Sequence, residues 1–331
     1  MSLRVGIVGC GFIGRKRAAE LGDDELVGCY DVASEAAAAL AARFGGRACA
    51  SLSELLELGC DVIVVAVVHD QLAPVGVHAL RAGSHVLVEK PAGLGVADVD
   101  GLIAAAQDAG RLVKVGFNHR FYPAIARTAE IVHSGRFGPL MFVRGRYGHG
   151  GRVGYESEWR MDPARSGGGE LVDQGMHLID LLHWLAGPLP LHSALLRTSF
   201  WEAQVEDNAA LLFGAAQDRA APWASLHATW TEWKNLFSLE VYCRTGKIAV
   251  DGLAKSYGPQ KLRVYAMKPE MGPPELEEVD FPPQDVSWRD EWANLRAAVA
   301  GGERALGDLE SARYAWTVVE RAYELSGWNA P

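Results

Sequence analysis

Three groups of residues in this 331-residue chain have types and spacings that can do chemistry. The first is Gly9-Cys10-Gly11-Phe12-Ile13-Gly14, a G-x-G-x-x-G between the apolar, β-branched run Leu3 to Val8 and a helical stretch from Phe12. At such a junction one glycine permits a tight turn and a second lets backbone approach a pyrophosphate. A third allows close helix–strand packing, and the helix N-terminus supplies amide donors and positive potential. The pattern predicts dinucleotide binding by Gly9, Gly11, Phe12, Ile13 and Gly14, with Cys10 as a small filler. Asp31 ends the next strand, 22 positions after Gly9, close to the ~20 at which a carboxylate accepts from adenosine ribose hydroxyls. The second group is Lys90, at the C-terminal end of a strand, where the ligand crevice of an open α/β sheet lies. The third is a carboxylate and an imidazole, Asp173 and His177, four apart on one face of a predicted helix with Asp180 on the same stripe. A carboxylate beside an imidazole fixes its orientation and stabilises its charged form, which suits a general base. Asp180 reads as a structural residue bonding backbone or an arginine.

These residues need elements to hold them, and the first hundred positions alternate strand and helix. Strands are predicted over Leu3–Val8, Leu26–Tyr30, Asp61–Val68, His85–Glu89 and Leu112–Phe117. Helices are predicted over Phe12–Leu21, Ser34–Phe44 (capped by Ser34), Ser53–Leu58, Leu72–Ala82 and Ala97–Ala109. This rhythm implies right-handed crossovers and a parallel sheet covered on both faces. Arg15, Lys16 and Arg17 fall on the first helix, where at least two of them are expected to be solvated. After residue 118 the pattern changes. Helices are expected over Pro123–His133 and Glu170–Leu185, then strands without intervening helices from Leu191 to Tyr265, and closing helices Trp288–Val299 and Leu309–Leu325. The fold class is therefore α/β. A doubly wound Rossmann sheet over residues 1–118 is followed by an α+β domain over 119–331 with a large, mostly antiparallel open sheet.

Composition narrows the function. With 41 acidic and 32 basic side chains the net charge is −9, which argues against nucleic acid as a partner. The longest apolar run, Val62 to Val68, is far short of the about 18 residues that a spanning helix needs. The first apolar run leads into glycines instead of a cleavage site, so a soluble cytoplasmic protein is expected. Five cysteines without C-x-x-C spacing suggest neither a disulfide framework nor a zinc site. No His-Glu-x-x-His occurs, and no metal is expected. Trp159-Arg160 precedes the glycine-rich approach to the Asp173 helix. An aromatic face and a guanidinium there, with Tyr147, are candidates to bind a polyol.

Glu89-Lys90-Pro91, Asn118-His119-Arg120-Phe121, Trp159-Arg160 and Gly167-Gly168-Gly169 followed by Asp173-x-x-x-His177 occur in that order. Together they resemble the glucose–fructose oxidoreductase and inositol dehydrogenase (Gfo/Idh/MocA) family over nearly the whole chain. One departure lies after the fourth strand. Many members carry Thr-Pro-Asn-x-x-His there, whereas this chain has Val67-Val68-His69-Asp70-Gln71-Leu72. The resemblance implies NAD, with NADP less favoured, and a secondary alcohol of a sugar, nucleotide-sugar or inositol as substrate. It implies His177 as the base taking the substrate hydroxyl proton, Asp173 as its partner, and Lys90 bonding the same hydroxyl. His69, Glu89 and Asn118 become further cofactor contacts, and Trp159 and Arg160 substrate contacts. It also implies a homodimer or homotetramer formed through the open sheet. Two alternatives remain in view: an NAD-dependent glycosidase of the same family, and a non-catalytic dinucleotide sensor.

Overall fold

Val62–Val65, read Val-Ile-Val-Val, is a strand with all four residues fully buried, as a sheet covered on both faces requires. The computed structural model describes residues 2–218 and 220–328, and places this strand in a six-stranded, all-parallel sheet. Its members are β1 (Arg4–Val8), β2 (Glu25–Tyr30), β3 (Arg47–Ala48), β4 (Val62–Val65), β5 (His85–Val88) and β6 (Val113–Val115), in the order β3-β2-β1-β4-β5-β6. Helices α1 (Phe12–Ala19), α2 (Ser34–Phe44), α3 (Leu52–Glu57), α4 (His69–Arg81) and α5 (Val96–Ala109) make the connections. Strand order reverses between β1 and β4, so the turn from β1 into α1 lies at the topological switch point.

The second sheet has eight strands: β7 (Leu140–Gly148), β8 (Leu191–Arg197), β9 (Asn208–Phe213), β10 (Trp223–Thr229), β11 (Leu236–Cys243), β12 (Gly246–Asp251), β13 (Lys261–Ala266) and β14 (Glu275–Asp280). They run in the order β14-β13-β12-β11-β7-β10-β9-β8, antiparallel except for the β7–β10 pair. The helices of this part are α6 (Pro123–His133), the single turn α7 (Pro163–Ser166) and α8 (Met176–Ala186). Gly145 in β7 lets α8 lie close to the sheet. A Cβ there would come within 3.1 Å of Leu178 in α8 and 2.9 Å of Leu226 in β10.

The last helices are α9 (Ser287–Val299) and α10 (Leu309–Ser326). The chain forms two units, Met1–Asn118 with Trp288–Arg313, and His119–Ser287 with Tyr314–Pro331. The sequence suggested a single crossing after residue 118; instead α9 returns to complete the first unit. Trp292 and Leu295 join the core formed by Val5, Ile7, Val62 and Leu87, and the indole of Trp292 donates to Asp24 at 2.8 Å. Lys114, fully buried in β6, donates to Asn294 Oδ1 at 3.1 Å and to the carbonyl of Leu306.

Other local differences have physical causes. Helix α2 begins after Ala33 with no side-chain cap from Ser34, and Asp31 Oδ1 takes the Ala33 amide at 2.8 Å instead. Strand β14, Glu-Leu-Glu-Glu-Val-Asp, has no apolar alternation to announce it. It is an edge strand held by backbone pairing and by Glu278, which bonds Lys261 (3.0 Å) and Arg263 (2.8 Å) on β13. The helix expected over Glu170–Leu185 opens instead with a π-turn at Leu171–Gly175 before α8 begins.

Candidate functional site

In the first unit the glycine loop is shaped by what each position excludes. Gly9 has φ +92°, and a Cβ there would lie 2.2 Å from the Ala66 carbonyl. A Cβ on Gly14 would lie 1.9 Å from the Gly9 carbonyl, so helix and turn can meet only through glycine. Gly11 differs: it precedes α1 directly, and a Cβ on it meets no protein atom within 4 Å. Its side-chain position faces open space over the α1 N-terminus, where a phosphate pair has room to approach the amides. Asp31 Oδ2 accepts from the Cys10 amide at 2.7 Å, which fixes the carboxylate beside this loop. The loop and its carboxylate thus fit a dinucleotide.

Lys90 lies two residues past the end of β5 and is half-buried. The residue before it, Glu89, is a buried carboxylate whose backbone amide bonds Val65 at 3.0 Å. Its side chain meets Arg17, with Nε at 2.7 Å and Nη2 at 2.6 Å, and Arg17 reaches Glu291 of α9 at 2.5 Å through Nη1. Burial pushes the Glu89 carboxyl above its ordinary value, with Arg17 acting in the opposite sense. Arg17 is therefore the centre of a buried ion cluster, while Arg15 is exposed and Lys16 half-buried. His69 opens α4 and Asn118 opens the short 3-10 turn Asn118–Phe121; both side chains are buried.

In the second unit the triple glycine has a structural cause at each position. Gly167 ends α7 with φ +76°. A Cβ on Gly168 (φ +153°) would lie 2.0 Å from the Tyr323 hydroxyl, and one on Gly169 would lie 2.0 Å from the Glu206 carbonyl. Glu206 grips this run: its fully buried carboxylate accepts from the amides of Gly169 (3.2 Å) and Leu171 (3.0 Å) and from the Tyr323 hydroxyl (3.0 Å). Neither the spacing nor the periodicity of the sequence flags Glu206. The π-turn starts two residues after the gripped glycine and carries Asp173, and α8 then presents His177 in its first turn.

Burial pushes the Glu206 carboxyl up to about 7 from 4.5, outweighing the donors that favour its charge. A raised acid stabilises the fold fully below its unfolded value, and that stability is lost as pH rises through the folded value. Glu206→Gln cannot titrate. Between pH 5 and pH 8 the stability difference between variant and native protein should move in the variant's favour by about 2 kcal/mol. Urea unfolding at the two pH values measures this, and an unchanged difference would mean that the carboxyl titrates normally.

His177 is 6% exposed, and its ring stacks on that of His119, centroids 3.7 Å apart at 24°. His119 Nε2 lies 3.1 Å from the hydroxyl of Tyr147 on β7. Burial raises the Tyr147 phenol well above its ordinary value, so it stays protonated. Tyr257 lies beside Tyr147, ring centroids 5.3 Å apart, and its hydroxyl accepts from Gln174 of the π-turn at 2.7 Å. Asp173 faces Arg160, Nε to Oδ2 3.7 Å, and Arg160 also meets Glu158 at 3.2 Å with its guanidinium over the Trp159 ring at 4.8 Å. Burial works against the charge of Arg160, but Asp173 and Glu158 outweigh it. Asp180 is completely buried and takes both arms of Arg120, Nε donating to Oδ2 at 2.9 Å and Nη2 to Oδ1 at 2.5 Å, as its structural reading predicts.

The structure thus gathers His177, Asp173, Trp159, Arg160 and Tyr147 in the second unit, adding His119, Gln174, Tyr257 and Glu206. In the first unit it gathers the glycine loop with Asp31, and Glu89 with Arg17. Among the described residues no helix is long and apolar enough to cross a membrane.

Residues 3–117 match the oxidoreductase family with an NAD-binding Rossmann fold, and residues 125–249 match the GFO/IDH/MocA C-terminal domain. The inositol 2-dehydrogenase of Salmonella typhimurium is 29% identical over 194 residues, 56% of this chain and 55% of that protein. The chain spans about half the length of the curated relatives it matches. Among solved structures, UDP-N-acetylglucosamine 3-dehydrogenase from Acidithiobacillus ferrooxidans superposes with a TM-score of 0.83 at 21% identity, covering 99% of each chain. A levoglucosan dehydrogenase in complex with NADH gives 0.87 at 19% identity, covering 99% of this chain and 97% of the other. These likenesses are of fold. With its two halves matching the two domains in order, the chain belongs to the Gfo/Idh/MocA family of oxidoreductases.

Proposed function

We propose that the protein is a nicotinamide-dependent dehydrogenase or reductase acting on a secondary alcohol of a sugar, nucleotide-sugar or cyclitol. The observation that carries this reading is the histidine on α8, presented from a π-turn whose entry the glycine run and Glu206 hold rigid. The first unit carries, by itself, a glycine loop whose middle position is open above a helix N-terminus. When bound, a nicotinamide dinucleotide supplies the hydride acceptor or donor. The chain's own groups do the rest. The amides at Gly11, Phe12 and Ile13 hold phosphate, Asp31 holds ribose, and His69 and Asn118 make further cofactor contacts. Glu89, clamped by Arg17, fixes the backbone entering Lys90. Lys90 donates a hydrogen bond to the reacting hydroxyl oxygen, and the imidazole of His177 accepts the hydroxyl proton as the carbonyl forms. Asp173 orients the site together with Arg160, and Trp159 offers a ring face to the polyol. We also propose a homodimer or homotetramer assembled through the eight-stranded sheet, which sedimentation at micromolar concentration checks.

The test is a panel of myo-inositol, D-glucose and UDP-N-acetylglucosamine with NAD and with NADP, read at the nicotinamide absorbance. Reduction of dinucleotide by one of them supports the reading. Glycosidic cleavage of a model glycoside without net NADH would transfer it to an NAD-dependent glycosidase, and no turnover by any panel would leave only a binding protein.

The same panel tests cofactor choice. Asp31 can accept from both ribose hydroxyls, whereas a 2′-phosphate would meet its charge. NADP sites place an arginine just past this strand, and here Val32, Ala33 and Ser34 follow. NAD should be preferred by at least about tenfold, ~1.4 kcal/mol. Val32 is 92% exposed, so Val32→Arg is accommodated, and with Asp31→Ser it should narrow or reverse the preference. Tighter binding of NADPH than NADH by the native protein, titrated at matched ionic strength, would show that Asp31 does not face the ribose.

A further inference from the structure

Within its own unit His177 makes a flat stack on His119. His119 is itself fixed on several sides. Its side chain is 5% exposed, Nε2 is bound by the Tyr147 hydroxyl at 3.1 Å, and Tyr122 packs edge-on against its ring at 5.4 Å and 83°. Tyr147 is held in turn by Phe237 across the sheet, edge to face at 5.4 Å, and by Tyr257. His119 therefore offers the His177 ring a wall built from the 3-10 turn, β7 and β11. The torsion that swings an imidazole about its Cβ–Cγ bond is broad and roughly two-fold. The stack holds the ring near the plane of His119, 24° from parallel, and so limits how far the proton-accepting nitrogen can swing.

We infer that His119 is a positioning residue for proton transfer: it acts through His177 by fixing the plane of that ring, with Tyr147 locking His119 in place. The inference rests on the reading of His177 as the base. It asks nothing of the substrate beyond a hydroxyl proton to be removed. A merely structural role would instead show itself as loss of fold or of binding.

The experiment compares native protein with His119→Ala, His119→Phe, Tyr147→Phe and His177→Ala. Turnover is measured with whichever of myo-inositol, D-glucose or UDP-N-acetylglucosamine the panel shows to be converted, and NADH affinity by fluorescence titration. His119→Ala should lower kcat by roughly 10- to 100-fold, the order expected for a misplaced reacting group. KM and NADH affinity should stay within about threefold, since the loss is one of orientation and not of binding. His119→Phe restores a flat wall and should recover most of that kcat. Tyr147→Phe keeps the packing but removes the hydroxyl lock, and should lower kcat by several-fold at unchanged KM. Native kcat in His119→Ala overturns the inference, as does a His119→Phe no better than His119→Ala when both melt like the native protein. Should His119→Ala fail to fold, native kcat in Tyr147→Phe overturns it. An inactive His177→Ala beside a fully active His119→Ala sinks this inference alone. A fully active His177→Ala sinks the parent reading with it.

Discussion

Alanine at position 177 should reduce turnover by roughly 10²- to 10⁴-fold, the usual contribution of a positioned acid–base group and about 3 to 5 kcal/mol of barrier. The expectation follows from placement. His177 sits in the first turn of α8, buried and stacked, at the end of a segment whose glycines and Glu206 leave the backbone little freedom. Alanine keeps the helix, being its best former, and removes only the ring. NADH affinity should change little, because the glycine loop and Asp31 belong to the other unit. Steady-state kinetics, with a melting curve to establish folding, are the check. Near-native turnover in a folded variant would remove His177 from the mechanism.

Lys90→Met should bring a comparable collapse. The lysine lies two residues past β5, and the residue between them, Glu89, is pinned from two sides, by its amide bond to Val65 and by the clamp of Arg17 on its carboxylate. A group anchored this firmly can aim its three ammonium donors at a reacting oxygen. Methionine preserves most of the apolar stem and loses both the donors and the charge. A loss of kcat of at least about 10²-fold with native-like melting and NADH affinity is the expected outcome. A variant with no cooperative melting transition would make Lys90 a structural partner and withdraw its catalytic role.

Features enforced locally were legible in the sequence. The glycine loop could be read because steric exclusion at Gly9 and Gly14 leaves no other residue. Strand β4 could be read because a doubly covered strand has to be apolar throughout. What escaped was set by partners far along the chain. Glu89 stood out within a motif, yet the groups that fix its role lie 72 positions before it and 202 after it, at Arg17 and Glu291. Nothing in helix α1 marks Arg17 as buried. The π-turn over Leu171–Gly175 leaves the apolar spacing of a helix intact, so periodicity reads straight through it. Strand β14 carries charge where a half-buried strand would alternate, because an edge needs only backbone pairing. His119 and Tyr147 meet only because the second sheet brings β7 beside the turn after Asn118.

The return of α9 to the first unit bears on how the chain is made on the ribosome. Glu291 emerges 202 residues after Glu89, a delay of about 10 to 40 s at roughly 5–20 residues per second. Throughout that interval Arg17 has only one of its two carboxylates, Asp24 awaits the Trp292 indole, and Lys114 awaits Asn294. The whole eight-stranded sheet, closed by β14 at Asp280, is synthesised while the dinucleotide-binding half is still short of a helix. The eight-stranded sheet is thus free to form before the earlier unit is complete, and a nascent chain stalled after Asn118 displays an apolar face that only residues far downstream can cover.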